Sequence, residues 1–457
     1  MAKLIKQTQV SVPAAKLAVI NQHTAAIDVG STLMMVSYND AQGNYCLAQT
    51  DGFTESIKEL AKVLQSAGVT HVAMEATGVY WMALYEVLEQ HGLIVTLINP
   101  RHFKNVDAQK TDVKDCQWLH QLHAHGLLKA SHIAPDIYRE LKTYLHQREI
   151  NQKQKSDTLN RIHRQLTLMN LKVQHLVSDI EGVSAMKMIR AIAAGQQDPV
   201  TLLSLADVKK FKASEEQLLE SLKGMYKKQH ITVLNRLLAA YDFYREEMKQ
   251  YEQLIEEVLE RMLPEDEQGQ KPEVASKKGY VRKNQYSINL KGYLEQILGT
   301  DATLIEGLDE ITILTIIAVT GVDMSKWRTA EHFVSWLNLS ARPKISGGKQ
   351  LGHQKRFTNN AATQAFRVAA QGMWNNKGPL GHFYRRLSAQ KGSKKAIKAL
   401  AKKLAVIFYH IVKNKSTYDR SRLQTNEQAR TNRHISKLKK MAATYGFALQ
   451  PITPTSL

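Results

Sequence analysis

Between Thr24 and about Gly126, short apolar runs alternate with stretches whose apolar residues return every three or four positions. Ala25–Val36 and Tyr45–Thr50 read as strands, Thr54–Ala67 as a helix and His71–Glu75 as a strand. Val79–His91 reads as a helix and Leu93–Ile98 as a strand, stopped by Asn99-Pro100. Val113–His125 closes the pattern as a helix. Residues 23–135 are thus expected to form one α/β domain, behind a flexible basic arm over 1–22.

Past this domain the period changes. Leu159, Ile162, Leu166, Met169, Val173 and Leu176 step by three and four. So do Leu234, Leu237, Tyr241, Tyr244, Met248, Tyr251, Ile255, Val258 and Met262, before Leu263-Pro264 ends the run. These are two heptad seams within a coiled-coil region over 136–264. They can close on each other as an intrachain hairpin; pairing across subunits is the expectation adopted. A polar, basic linker over 265–290 follows, then a mostly helical domain over 291–416. In that domain Ile305 to Glu310 suggests a helix-hairpin-helix-like turn, Lys326–Leu337 a helix, Ser340 to Asn360 a loop, and Asn360–Lys415 further helices. A basic tail over 417–457 ends the chain.

The 457 residues allow two or three cores, and 43% apolar content is that of a globular protein. Cys46 and Cys116 lie far apart with no Cys-x-x-Cys spacing, which argues against a zinc ribbon or a disulfide framework and suits a reducing cytoplasm. No signal-peptide core and no membrane-spanning run is evident, so a cytoplasmic, nucleoid-associated protein without a membrane partner is expected. Charge changes the picture most. The chain carries +20, but residues 341–457 hold 24 Lys and Arg against only Asp419 and Glu427. One region holds the whole excess, the electrostatic footprint of a polyanion-binding module.

Four acids stand out. Asp28 lies inside the apolar run Ala25-Ala26-Ile27-Asp28-Val29, where a buried carboxylate needs a cation; Gly30-Ser31-Thr32 then lets the backbone turn or approach a ligand. Glu75 ends a strand before Ala76-Thr77-Gly78, a place that lines sites in α/β folds. Asp112 and Asp115 are three apart at a helix start and share a face; a helix cap and a dipole partner are their ordinary roles. Together the four could hold Mg²⁺ (or Mn²⁺), a hard ion that keeps positions open for phosphate. His120, His123 and His125 lack a matching partner set and are read as packing or RNA-facing residues.

In the basic region, Arg342-Pro343-Lys344-Ile345-Ser346-Gly347-Gly348-Lys349 combines a hydroxyl with a phosphate-friendly loop. Gly347 and Gly348 clear side chains from the backbone N–H groups, and Lys344, Lys349, Lys355 and Arg356 supply charge. Ser346 is either a nucleophile or part of a phosphate grip without covalent chemistry. Arg342 and, farther along, Arg385, Arg386, Lys394 and Lys395 are read as further nucleic-acid contacts.

Two early strands followed by helix–strand alternation fit a ribonuclease-H-like fold. The blocks Ile27-Asp28-Val29-Gly30-Ser31, Met74-Glu75-Ala76-Thr77-Gly78-Val79-Tyr80-Trp81, Asn99-Pro100 and Lys110-Thr111-Asp112-Val113-Lys114-Asp115 resemble the DEDD-type transposases of insertion-sequence family one-ten. Asp323-Met324-Ser325-Lys326-Trp327, Lys344 to Lys349 and Ala396 to His410 look like its subgroup eleven-eleven. The resemblance implies a RuvC-like amino-terminal domain, a coiled-coil insertion and a carboxy-terminal transposase domain. It implies that Asp28, Glu75, Asp112 and Asp115 are the metal-binding DEDD set and that Ser346 is the catalytic serine. It further implies donor and target DNA as substrates, an element-encoded noncoding bridge RNA as guide, and a homo-oligomer, a dimer or a tetramer on DNA, with a site composed from two subunits.

Other classes are less consistent with the chain. Asp28 to Thr32 also resembles the phosphate loop of actin-like and sugar kinases, but no second such domain follows. A non-catalytic scaffold would not need four converging acids. A nuclease using metal-bound water would need the acids but not Ser346.

Overall fold

A computed structural model describes residues 18–99, 112–208, 211, 213–265, 272, 284–340, 343–353 and 360–450. The chain divides into two compact units, Met1–Ile133 and Ala134–Leu457.

The first unit is built on a five-stranded sheet: β1 (Thr24–Val29), β2 (Met34–Asn39), β3 (Tyr45–Thr50), β4 (His71–Glu75) and β5 (Ile94–Ile98), in the order β3-β2-β1-β4-β5. The first three strands are antiparallel neighbours, and β4 and β5 run parallel to β1. This is the ribonuclease-H-like arrangement expected. The run read as one strand, Ala25–Val36, is two. Gly30 turns the chain, and a Cβ there would lie 2.2 Å from the Leu33 carbonyl oxygen, so the glycine serves a close turn. Helices α1 (Thr54–Ser66) and α2 (Trp81–Gln90) cover one face through Ile27, Met74, Ile57, Leu64 and Leu84. The other face is small-residue ground, Ala26 and Ala73, and packs with Leu119 of α3 (Asp112–Ala124).

The second unit is helical. Its spine is a pair of long helices, α4 (Asp136–Leu168) and α9 (Lys228–Arg261), with α5 (Val173–Leu176), α6 (Val183–Ala193), α7 (Pro199–Ser204) and α8 (Glu215–Ser221) between them. Contacts from Glu140 to Arg261, Arg148 to Glu252 and Gln165 to His230 make the pair antiparallel. Both seams are therefore used inside the chain, and the expected pairing of these residues across subunits is corrected. Ile162 and Leu166 of α4, with Leu234, Leu237 and Tyr241 of α9, join a small core with α6 and α8. Ile255 and Val258 join a second core. The first seam is also not one helix, because Asn170, at a left-handed φ of 56°, ends it before Val173.

The second core joins α10 (Leu290–Leu298), α11 (Glu310–Thr320), α12 (Ala330–Trp336), α13 (Ala361–Gly372), α14 (Pro379–Lys391) and α15 (Ser393–Asn414) around Phe333, Phe366 and Phe408. The turn before α11 is packed: Ile305 and Leu308 are buried, and Asp309 caps the helix by accepting from the Thr312 N–H. Two further expectations change. Of the linker over 265–290, residues 266–271 and 273–283 lie outside the described residues, but the segment from Asn284 is anchored. Arg148 donates to the Asn284 carbonyl and stacks on Tyr286, and Glu252 accepts from the Ser287 N–H and hydroxyl. The loop over 340–360 contains an antiparallel hairpin, β6 (Pro343–Ser346) and β7 (Lys349–His353). The basic tail forms an exposed helix, α16 (Ser421–Thr444). Among the described residues no helix is long and apolar enough to cross a membrane.

Candidate active site

In the first unit the register of β1 and β4 sets the site. Ala26 pairs with Ala73 and Ile27 with Met74, in parallel. Asp28 and Glu75 are the next residues on each strand, so strand alternation puts them side by side on the Ala26–Ala73 face. That is the face under α3. Cys116 anchors the helix there: its thiol donates to the carbonyls of Ala26 (3.3 Å) and Met35 (3.2 Å), and its own carbonyl accepts from the Ser37 hydroxyl. Burial pushes the Cys116 thiol up, and the charge of neighbouring Asp28 adds to the effect.

Farther along α3, His120 contacts the Thr24 hydroxyl, and the His123 carbonyl accepts from Asn21. The helix therefore runs antiparallel to β1, with its first turn at the strand's carboxyl end. Asp115 lies beside Cys116, and the backbone of Asp112 opens the helix one turn earlier. The side chain of Asp112 lies outside the described residues. Glu75 is 4% exposed, and its Oε1 accepts from the Thr77 hydroxyl at 3.0 Å.

Two adjacent carboxylates on one sheet face, one of them buried, suit a cation between them. Hard oxygen donors fit Mg²⁺ or Mn²⁺ rather than a soft metal. Among the described residues no three acids, histidines or cysteines group closely enough to hold an ion; the described geometry supplies the Asp28–Glu75 pair and the position of α3 above it. His120 and His123 belong to packing: both are 5% exposed. Burial holds His120 low, and burial with the charges of His71 and His120 brings His123 down to about 4.

In the second unit Ser346 is the last strand residue before the Gly347-Gly348 turn and pairs with Lys349. Both glycines have positive φ (55° and 74°), the two-residue hairpin geometry that other residues strain to adopt. Lys344 lies two residues earlier on the same strand, across a register shift between Lys344 and Ile345. All of these residues are exposed. Arg342, Lys355 and Arg356 lie outside the described residues. Arg385 donates to the carbonyls of Trp374 and Asn376, stapling the turn after α13. Arg386 lies over the Phe383 ring, and Lys394 and Lys395 are exposed in the first turn of α15.

Two positioning residues escaped the sequence reading. Thr77 was visible as a hydroxyl two residues beyond an acid at a strand end. Cys116 was visible only as the residue one helical turn after Asp112.

Comparison with known families bears on both units. The family model for DEDD transposases of the IS110 type, described as a transposase, matches residues 25–171. A second, described as the transposase IS116/IS110/IS902 family, matches residues 302–385. No curated protein matches the chain. The first match contains all four acids and the second contains Ser346; the two ranges hold 147 and 84 residues, just over half of the 457. The chain belongs to the IS110 family of transposases, enzymes that act on DNA.

Proposed function

We propose that this transposase cuts and rejoins DNA by transesterification, with Ser346 as nucleophile and Asp28, Glu75, Asp112 and Asp115 as holders of Mg²⁺ (or Mn²⁺). When bound, the ion lowers the charge cost of attack at the scissile phosphate. Asp28 and Glu75 hold their oxygens on one sheet face, and Thr77 fixes the orientation of Glu75. Lys344 and Lys349 offset the phosphate charge beside Ser346, and the two glycines let the backbone approach it.

The Ser346 oxygen forms a bond to phosphorus as the bond to the departing strand's oxygen breaks. The serine proton passes to a base or solvent, and the departing oxygen takes up a proton. A hydroxyl of the exchanged strand then attacks the phosphoserine and releases Ser346, so rejoining needs no ATP. Choice of DNA by a noncoding bridge RNA, and a site joined from two subunits of a tetramer, are supported by the family resemblance. In that scheme the +22 of residues 341–457 grips backbones while base pairing reads sequence.

The observation that carries the serine reading is the place of Ser346 itself. It lies at an exposed turn, outside the core, next to two glycines and two lysines. The test is a denaturing gel of labelled junction DNA incubated with protein, Mg²⁺ and the element's flanking RNA. A covalent adduct lost in both Ser346→Ala and Asp112→Asn is expected. Cleavage without an adduct, unchanged by Ser346→Ala, would instead make the protein a water-using nuclease.

A further inference from the structure

The second unit contains a cleft that the proposed chemistry does not use. It is about 750 Å³ and lies between the first half of α4, α11 and α13. Its floor is fixed. Arg148, 3% exposed, is held by Glu252 at 2.8 and 2.6 Å, by the Gln152 side chain and by the Asn284 carbonyl, and it stacks 3.7 Å from the centre of the Tyr286 ring. Such a guanidinium is spent on structure and makes the floor rigid.

The walls and rim differ from the floor. Lys142, His146 and Arg367 line the cleft and are exposed, and among the described residues none of them is in an ion pair. Glu149 is the acid on the same rim. Ile311 and Val368 also line it and stand 39% and 58% exposed. His146 brings a flat ring to the same lining. Cations interleaved with exposed apolar and aromatic groups are the combination that holds single-stranded nucleic acid, with bases against the flat or apolar groups and phosphates against the cations. The volume falls within the range of small-ligand pockets, about 300–1,000 Å³, room for a few unstacked bases but not for a duplex.

We propose that this cleft binds a short single-stranded segment of nucleic acid, with bases against His146, Ile311 and Val368 and phosphates against Lys142 and Arg367. The inference rests on the transposase reading for the presence of such a strand, and on the cleft alone for its location. DNA and RNA share this chemistry.

The test uses the full chain carrying Asp28→Asn, which leaves the strand uncut. Single-stranded DNA and RNA probes of about eight nucleotides, within the site size of such proteins, and a duplex of the same sequence are titrated by fluorescence anisotropy. The double variant Lys142→Glu, Arg367→Glu is expected to weaken single-strand binding at least about tenfold with an unchanged melting temperature. Independently, a photo-crosslinking phenylalanine in place of Val368 is expected to capture the single-stranded probes and not the duplex. The stronger of the DNA and RNA captures identifies the source of the strand. Unchanged affinity in the double variant, or capture of the duplex as readily as of the single strand, would overturn the proposal. The Ser346 adduct is scored separately, so failure of the cleft and failure of the serine reading are distinct results.

Discussion

Asp28 and Glu75 stand in adjacent strands of a sheet covered on both faces, and one of them is nearly out of solvent. Ser346 stands at the tip of a two-stranded hairpin whose described side chains are exposed. Acids proposed to hold a metal need fixed oxygens, and a sheet core fixes them at no extra cost in ordering. A nucleophile that must reach a phosphate on a large substrate gains from a short, projecting element held by its own turn. The two regions therefore respond to mutation in opposite ways.

The largest effect separates chemistry from stability. Asp28→Asn and Ser346→Ala are each expected to lower strand transfer by at least about 10³-fold. Asp28→Asn will change the melting temperature of the first unit, while Ser346→Ala will not; calorimetry beside a strand-transfer assay checks both.

The next is a pH effect confined to the first unit. His123 has an ordinary value of 6.5 and is brought down to about 4 in the fold by burial and by His71 and His120. The unfolded chain therefore binds the proton first. The stability is complete above the ordinary value and is lost as pH falls from 6.5 towards 4, by about 3 kcal/mol in total. Urea melts of the first unit across that range should show the loss, and His123→Leu should flatten it.

Glycines sharpen the contrast further. Gly30→Ala drives a Cβ against the Leu33 carbonyl and should destabilise the first unit by about 1–3 kcal/mol. Gly348→Val strains a left-handed position by about 1–2 kcal/mol, but at an exposed tip. It should lower adduct formation and leave the melting temperature in place. The smallest effect belongs to Thr77→Val, which removes the hydrogen bond to Glu75 at about 1 kcal/mol, or roughly fivefold in rate.

What was legible in the sequence follows the same division. The strands of the first unit could be read from short apolar runs and α1 from its periodic apolar face, and Asp28 stood out as an interruption of such a run. The split of Ala25–Val36 was hidden because both strands and the turn between them are rich in small or apolar residues. The apolar period of the two seams does not say which helix covers them; the ladder from Glu140–Arg261 to Gln165–His230 does. The docking of Asn284 to Ser287 depends on Arg148 and Glu252, far away in the chain, and leaves no local signal. The hairpin has no buried face to produce alternation, and only its Gly347-Gly348 tip announced it.

We propose that the acids and the serine are two halves of one site, contributed by different subunits. Chains carrying Asp28→Asn, lengthened by a tag, are mixed with untagged Ser346→Ala chains and given junction DNA, guide RNA and Mg²⁺. Neither variant is expected to form an adduct alone, and the mixture is expected to form one on the tagged chain, whose serine is intact while its partner supplies the acids. A mixture as silent as its components would contradict it.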